Sequence, residues 1–319
     1  MATKLYFKAS QSITLRLAEL FNFAWPTMAA LWNLRWQVRG YAETTGKKEV
    51  TDLHERFVAG SGVTSANLKV ACLETTWVDQ QNQFAKFLLF DLCGLYEAWL
   101  EDASEKVFAS SKRQIMVKAL QFPLSAVALA SPGKSYVDAI AEANKTKSPA
   151  MVEFFGVVKN HQKNSWNNVE DLLIAYRYFK LSRNSIIHGG GLADAQWINA
   201  ANAFKVVPFV NLGFNKSPVV KICPVGERIE VCLADVVGLS NIIHRLIVTM
   251  DAALCVSDRV EKDFVARMTL AKPKFHQSMS QDVSRRHRQI ISFLGKAALP
   301  QPPKTLAIES LLKANNLVK

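Results

Sequence analysis

Arg183, Asn184 and His188 place a permanent cation, a carboxamide and a titratable imidazole within one short stretch of chain. Imidazole is the side chain whose ordinary pKa lies nearest neutrality, so His188 is a candidate general acid or base. Arginine keeps its charge and presents a fork that fits phosphate oxygens, which suits Arg183 to charge building on a phosphoryl group. Asn184 falls four residues before His188, hence on the same face of a helix, where it could position a substrate or brace the backbone. Such an inventory fits metal-free cleavage of RNA. A base takes the 2′-OH proton, an acid protonates the departing 5′-oxygen, and a cation holds the charge on the phosphoryl oxygens. DNA lacks the 2′-OH and lies outside this chemistry.

The element that must carry these residues runs over 167–188. Its first turn is polar and acidic, Leu173, Tyr176, Phe179 and Ile187 recur at near-helical spacing, and Gly189, Gly190 and Gly191 stop it. Because the glycines end a helix and no Gly-Lys-Ser/Thr follows, a phosphate-binding loop is excluded. A plainer reading of His188, a cation at a helix C-terminus, needs no catalysis. Upstream, residues 77–107 form the longest helical stretch, so densely apolar that it belongs at the centre of a bundle. Asp91 and Glu97 then become informative, since a carboxylate in a bundle interior needs a partner. A Glu97–Arg183 contact would satisfy both charges and orient the guanidinium.

Arg183-Asn184-Ser185-Ile186-Ile187-His188 resembles the Arg-x4-His signature of the HEPN-domain ribonucleases, in its Arg-Asn-x-x-x-His form. The likeness covers roughly residues 77–260 and includes Glu97, placed like the acidic residue that many HEPN domains carry on the neighbouring helix. It implies a helical bundle, an endoribonuclease leaving 2′,3′-cyclic phosphate and 5′-hydroxyl ends, and no cofactor. It also implies a homodimer, because one histidine does not easily serve as acid and base together. Families of this kind frequently act as toxins or abortive-infection effectors, which would bring an antitoxin or a defence-system partner. A non-catalytic RNA-binding module or scaffold is the reading from another class. A nucleic-acid-coating protein of viral origin is a third.

The expected fold is mainly α: an HEPN-like bundle over 71–268, an N-terminal helical segment over 1–70 and a basic extension over 269–319. Residues 10–43 read as two helices meeting at Pro26, since proline disrupts a helix interior. Further helices are expected over 52–58, 111–120, 133–143, 149–158, 193–204, 235–265 and 306–317. The short β-branched runs 209–212, 219–223 and 229–233 predict a small β-hairpin insertion near 206–233. His54 reads as a surface histidine and His244 as a satisfied core histidine.

The chain has 319 residues and a formal charge of 39 − 27 = +12, which predicts attraction to polyanions, RNA first. Lys159 and Lys163, flanking His161 in a polar link, are candidate phosphate contacts. So are Arg285, Arg286 and Arg288 in the basic extension, beside Lys272, Lys274 and His287. Each group has an ordinary alternative as a hydrated surface. The five cysteines are odd in number and form no Cys-x2-Cys pair, which argues for a reducing compartment and against a zinc site. The N-terminus shows no apolar signal core before a cleavage site, and charge interrupts the apolar runs, so a cytoplasmic protein with no membrane partner is expected.

Overall fold

A computed structural model describes residues 4–125, 134–218, 220–272 and 278–319. Gly133, Val219 and Lys274, which belong to expected elements, lie outside that set. The described chain is helical: α1 Lys8–Thr45, α2 Val50–Phe57, α3 Trp77–Val107, α4 Ser110–Ala119, α5 Tyr136–Ala143, α6 Pro149–Val158, α7 Val169–His188, α8 Ala195–Lys205, α9 Leu233–Leu254, α10 Glu261–Ala271, α11 Val283–Lys296 and α12 Leu306–Ala314.

Three helices make the centre. α9 packs against both α3 and α7, and α8 closes over α7. α9 is buried nearly all round, from Val236 through Leu254, as an apolar helix inside a bundle must be. By length and composition it is the one helix among the described residues apolar enough to cross a membrane, and over half of its apolar window is covered by the bundle. Aromatic rings fill the space between helices: Tyr96 meets Tyr176 edge-on at 4.7 Å, and Tyr178 stacks on Phe204 at 5.0 Å. α3 buries Leu88, Leu92, Leu95 and Trp99 along one side, yet Phe87 and Asp91 face solvent. It is therefore amphipathic rather than apolar all round, and Asp91 needs no interior partner.

The chain entering α1 is clamped. Leu5, Tyr6 and Phe7 are buried, and the Asp251 carboxylate of α9 accepts the N–H groups of Tyr6 and Phe7 at 2.8 and 3.0 Å. Arg267 donates to the Tyr6 carbonyl at 2.7 Å and to Ala298 at 2.6 Å. α1 then continues unbroken through Pro26, against the expected break. An interior proline costs about 3 kcal/mol. Here Pro26 lies on an exposed stretch, while packing holds the helix on either side. Ile13, Leu17 and Ala24 belong to the main core, and Val38 joins Leu53, Val58, Leu68 and Cys72 in a second, smaller one. A π-type turn at Lys69–Glu74 leaves carbonyls free, and Arg35 and Arg39 take up those of Ala71, Thr75 and Cys72.

Two more expectations need correction. No strand forms among the described residues, so the hairpin near 206–233 is absent from them; only an isolated bridge joins Leu192 to Arg228. Residues 208–214 close local turns instead, Leu212 N–H to Phe209 at 3.2 Å, and the later part bonds with the glycine turn, Ile229 N–H to Gly191 and Ala193 N–H to Glu227, both at 2.8 Å. The stretch 235–265 is two helices, α9 and α10, separated at residues 255–260. The basic extension forms α11, whose Ile290, Phe293 and Leu294 join the main core, and α12 packs on α6 with its first N–H groups capped by Glu153.

Candidate functional site

α7 begins with Glu170 and Asp171, and Glu170 accepts the N–H groups of Leu124 and Ser125 at 2.8 and 2.7 Å. It buries Leu172, Tyr176 and Phe179 and emerges progressively toward its C-terminus. Arg183 and Asn184 are half-buried, and Ile187 and His188 are exposed. The helix ends because Ser185 accepts the N–H groups of Gly189 and Gly191 at 2.9 and 2.8 Å. That closure needs Gly190 and Gly191 at φ 63° and 77°, in the left-handed region. A solvent-reachable helix end thus presents the cation, the amide and the imidazole.

The three are not equivalent around the helix. At 3.6 residues per turn, Arg183 and His188 are about 140° apart, whereas Asn184 and His188 are about 40° apart. Arg183 bends across this gap, its Nη1 donating to Asn184 Oδ1 at 3.0 Å. Its Nε is buried without a hydrogen-bond partner, and it forms no ion pair among the described residues.

Glu97 does not meet Arg183 as expected. Its carboxylate pairs at 2.9 Å with Lys180, which also donates to Gln121. Lys180 precedes Arg183 by three residues and so occupies the adjacent turn of the same helix. Cys93 stands among all three charges: burial chiefly pushes its thiol up to about 12, Glu97 adds to this, and Arg183 and Lys180 oppose it. Beside the motif, a cleft of about 330 Å³ lies between α3 and the glycine turn, walled by Phe87, Phe90, Ile186 and Gly190 and by the cations Lys86 and Arg228. Neither of these cations was singled out in the sequence. Arg228 has a signal in the sequence, since Pro224-Val225-Gly226-Glu227-Arg228 reads as a turn, and Lys86 has none.

The basic candidates divide. Lys159 is exposed, with Nζ 5.3 Å from the centre of the Phe155 ring, and Lys163 donates to Asn241 at 3.1 Å. Arg285 and Arg288 are exposed on α11, but Arg286 is engaged by Glu309 at 2.9 Å. His161 and His244, 6.2 Å apart between ring centres, form a pair that sequence reasoning missed. His244 is only half-buried and its Nε2 has no partner, so it is not a satisfied core histidine. Burial first, and then neighbouring His161, Lys163 and Arg245, push its pKa down to about 4. The surface reading of His54 also fails in part, since its Nε2 is buried without a partner.

All five cysteines are free thiols, and Cys232 caps α9 by accepting from Asp235 N–H. Among the described residues no group of three or more His, Cys, Asp or Glu is placed to hold a metal ion. No family model, curated protein or solved structure matches the chain.

Proposed function

We propose that this protein is a metal-independent endoribonuclease of the HEPN type, acting at the C-terminal end of α7. The carrying observation is the Arg183 guanidinium: it has no ion-pair partner among the described residues and is braced by Asn184 beside an exposed His188. Arg183 would hold the non-bridging phosphate oxygens. His188 of one copy would take the 2′-OH proton while the 2′-oxygen attacks phosphorus. The P–O5′ bond breaks, and a protonated histidine of a second copy supplies the proton to the leaving oxygen. The products are a 2′,3′-cyclic phosphate and a 5′-hydroxyl. Glu97, tied to Lys180, sits behind the motif as an orienting charge.

A second copy would dock beside the motif. Phe87 is 69 % exposed and Ile187 and Leu192 are each 43 % exposed, forming apolar surface around the motif that a homodimer would cover. By analogy with families carrying this motif, the biological role is that of a toxin or abortive-infection effector in the cytoplasm, restrained by an antitoxin or another defence component.

The test is incubation of the purified protein with single-stranded RNA in EDTA, followed by end-group analysis. Cleavage with cyclic phosphate ends, lost by at least about 100-fold in both Arg183→Ala and His188→Ala, supports the enzyme. Full activity in both variants refutes it. The exposed Arg285 and Arg288 favour a second reading, a non-catalytic RNA-binding module. That reading predicts salt-sensitive retention of RNA with no products.

A further inference from the structure

A further apolar cavity with basic residues in its wall lies away from the motif. It is a pocket of about 700 Å³ between α5, α6 and α9, roofed by the turn that leads into α7. α7 has 20 residues, so at 1.5 Å per residue its far end, where Arg183 and His188 sit, is about 30 Å away. Phe155, Trp166 and Val256 supply the apolar wall, and Trp166 is 48 % exposed. Among the described residues, Lys147 and Lys159 are the charged ones that line it. Neither forms an ion pair among the described residues, and both are exposed.

Two carboxamides complete the wall. Asn144 donates through Nδ2 to the Ala253 carbonyl at 3.2 Å, leaving Oδ1 buried with no partner. Asn164 accepts the Trp166 N–H through Oδ1 at 3.1 Å, so its own amide N–H groups face the opposite requirement. Asn144 Oδ1 is closed off from the pocket, whereas Asn164 offers its amide N–H groups to it. Next along the chain, Lys163 and Arg245 add positive charge, Lys163 donating to Asn241 at 3.1 Å and Arg245 to Ser165 at 2.7 Å.

A flat ring stacking on an exposed indole, with hydrogen-bond donors and acceptors on its edge and an anionic group within reach of two lysines, matches each of these features. We propose that the pocket binds a nucleotide: the base lies against Trp166 and accepts from the Asn164 amide, and the phosphate rests on Lys147 and Lys159. A fatty acyl chain would fill the same volume, but it offers no flat face to the exposed Trp166 indole. The nucleotide comes either free or as one residue of a single-stranded RNA. The site needs no contribution from Arg183 or His188 and so stands apart from the ribonuclease reading.

Binding is tested in the Arg183→Ala/His188→Ala double variant, which removes cleavage from the measurement whether or not the ribonuclease reading holds. The four ribonucleoside 5′-monophosphates, a single-stranded hexaribonucleotide and oleate are titrated by calorimetry, with Trp166→Ala and Lys159→Ala introduced singly. Circular dichroism melts check that each variant is folded. Mononucleotide binding weakened about tenfold or more by either substitution identifies a free-nucleotide site. The same loss seen only with the hexamer identifies a base of an RNA chain. No nucleotide binding at millimolar concentration, affinity unchanged by Trp166→Ala and Lys159→Ala, or preference for oleate overturns the assignment.

Discussion

Asp251 offers a direct test of how the bundle holds its N-terminal segment. The carboxyl is fully buried, and burial raises its pKa to about 6, opposed by Ser10, by the Tyr6 and Phe7 N–H groups and by Arg267. A raised folded-state value means that the folded protein binds the proton more tightly than the unfolded chain. Its contribution is therefore greatest below the unfolded value of about 4, is lost as pH rises toward 6, and is flat above. A rise from 3.8 to about 6 corresponds to roughly 3 kcal/mol. Asp251→Asn removes the ionisation but places an amide N–H against one backbone donor, which costs about 1–3 kcal/mol. At about pH 7.5 these effects offset, and the Asp251→Asn variant should fall within about 2 kcal/mol of the parent. At about pH 4.5 the parent's advantage should grow by roughly 2 kcal/mol. Asp251→Ala leaves two buried donors orphaned and should cost roughly 2–4 kcal/mol at about pH 7.5 and roughly 2 kcal/mol more at about pH 4.5. Urea denaturation followed by tryptophan fluorescence at those two pH values measures all three proteins. A difference between the parent and the Asp251→Asn variant that is the same at both would refute the reasoning.

Particular contacts elsewhere fix three more outcomes. Glu97→Gln breaks the half-buried pair with Lys180 and should lower stability by about 1 kcal/mol in urea melts. Gly191→Ala forces an L side chain to φ 77°, and the strain of about 1–2 kcal/mol should lower the melting temperature by several degrees. Phe87→Glu puts a charge on the exposed apolar surface beside the motif and should leave a folded monomer by light scattering, with RNA cleavage reduced in step. A dimer that survives this change would move the interface elsewhere.

Local signals in the chain were good guides wherever no distant contact competed with them. The bounds of α3 and α6 follow from their apolar periodicity and, for α6, from Ser148-Pro149 at its start, where Ser148 caps the Met151 N–H. Pro26 misled because packing on two separate cores outweighs one lost backbone bond. The β-branched runs before α9 misled because residues 209–214 close on themselves in turns and Ile229 bonds to the glycine turn at Gly191, far back along the chain, rather than the runs pairing with one another. Asp91 was misplaced by counting apolar residues without their angular position: Phe87 is apolar but points outward with it. At the motif, sequence showed which side chains share one helix end and not how they turn. Which cation of α7 meets Glu97 depends on the height of α3 against α7, and that offset selects Lys180 over Arg183. The nucleotide pocket draws on α5, α6, α9 and a turn, so no contiguous stretch announces it.

The first helix is one beam resting on two unequal foundations. Its 38 residues extend about 57 Å at 1.5 Å each. One end is seated in the main core, while the other is fastened by a handful of buried side chains and the grip of Arg35 and Arg39 on a single turn. A patch that small adds little cooperativity of its own. The far end can therefore come loose and reseat while the rest stays folded, which makes the region around residues 46–76 the natural first point of entry for a protease or a chaperone.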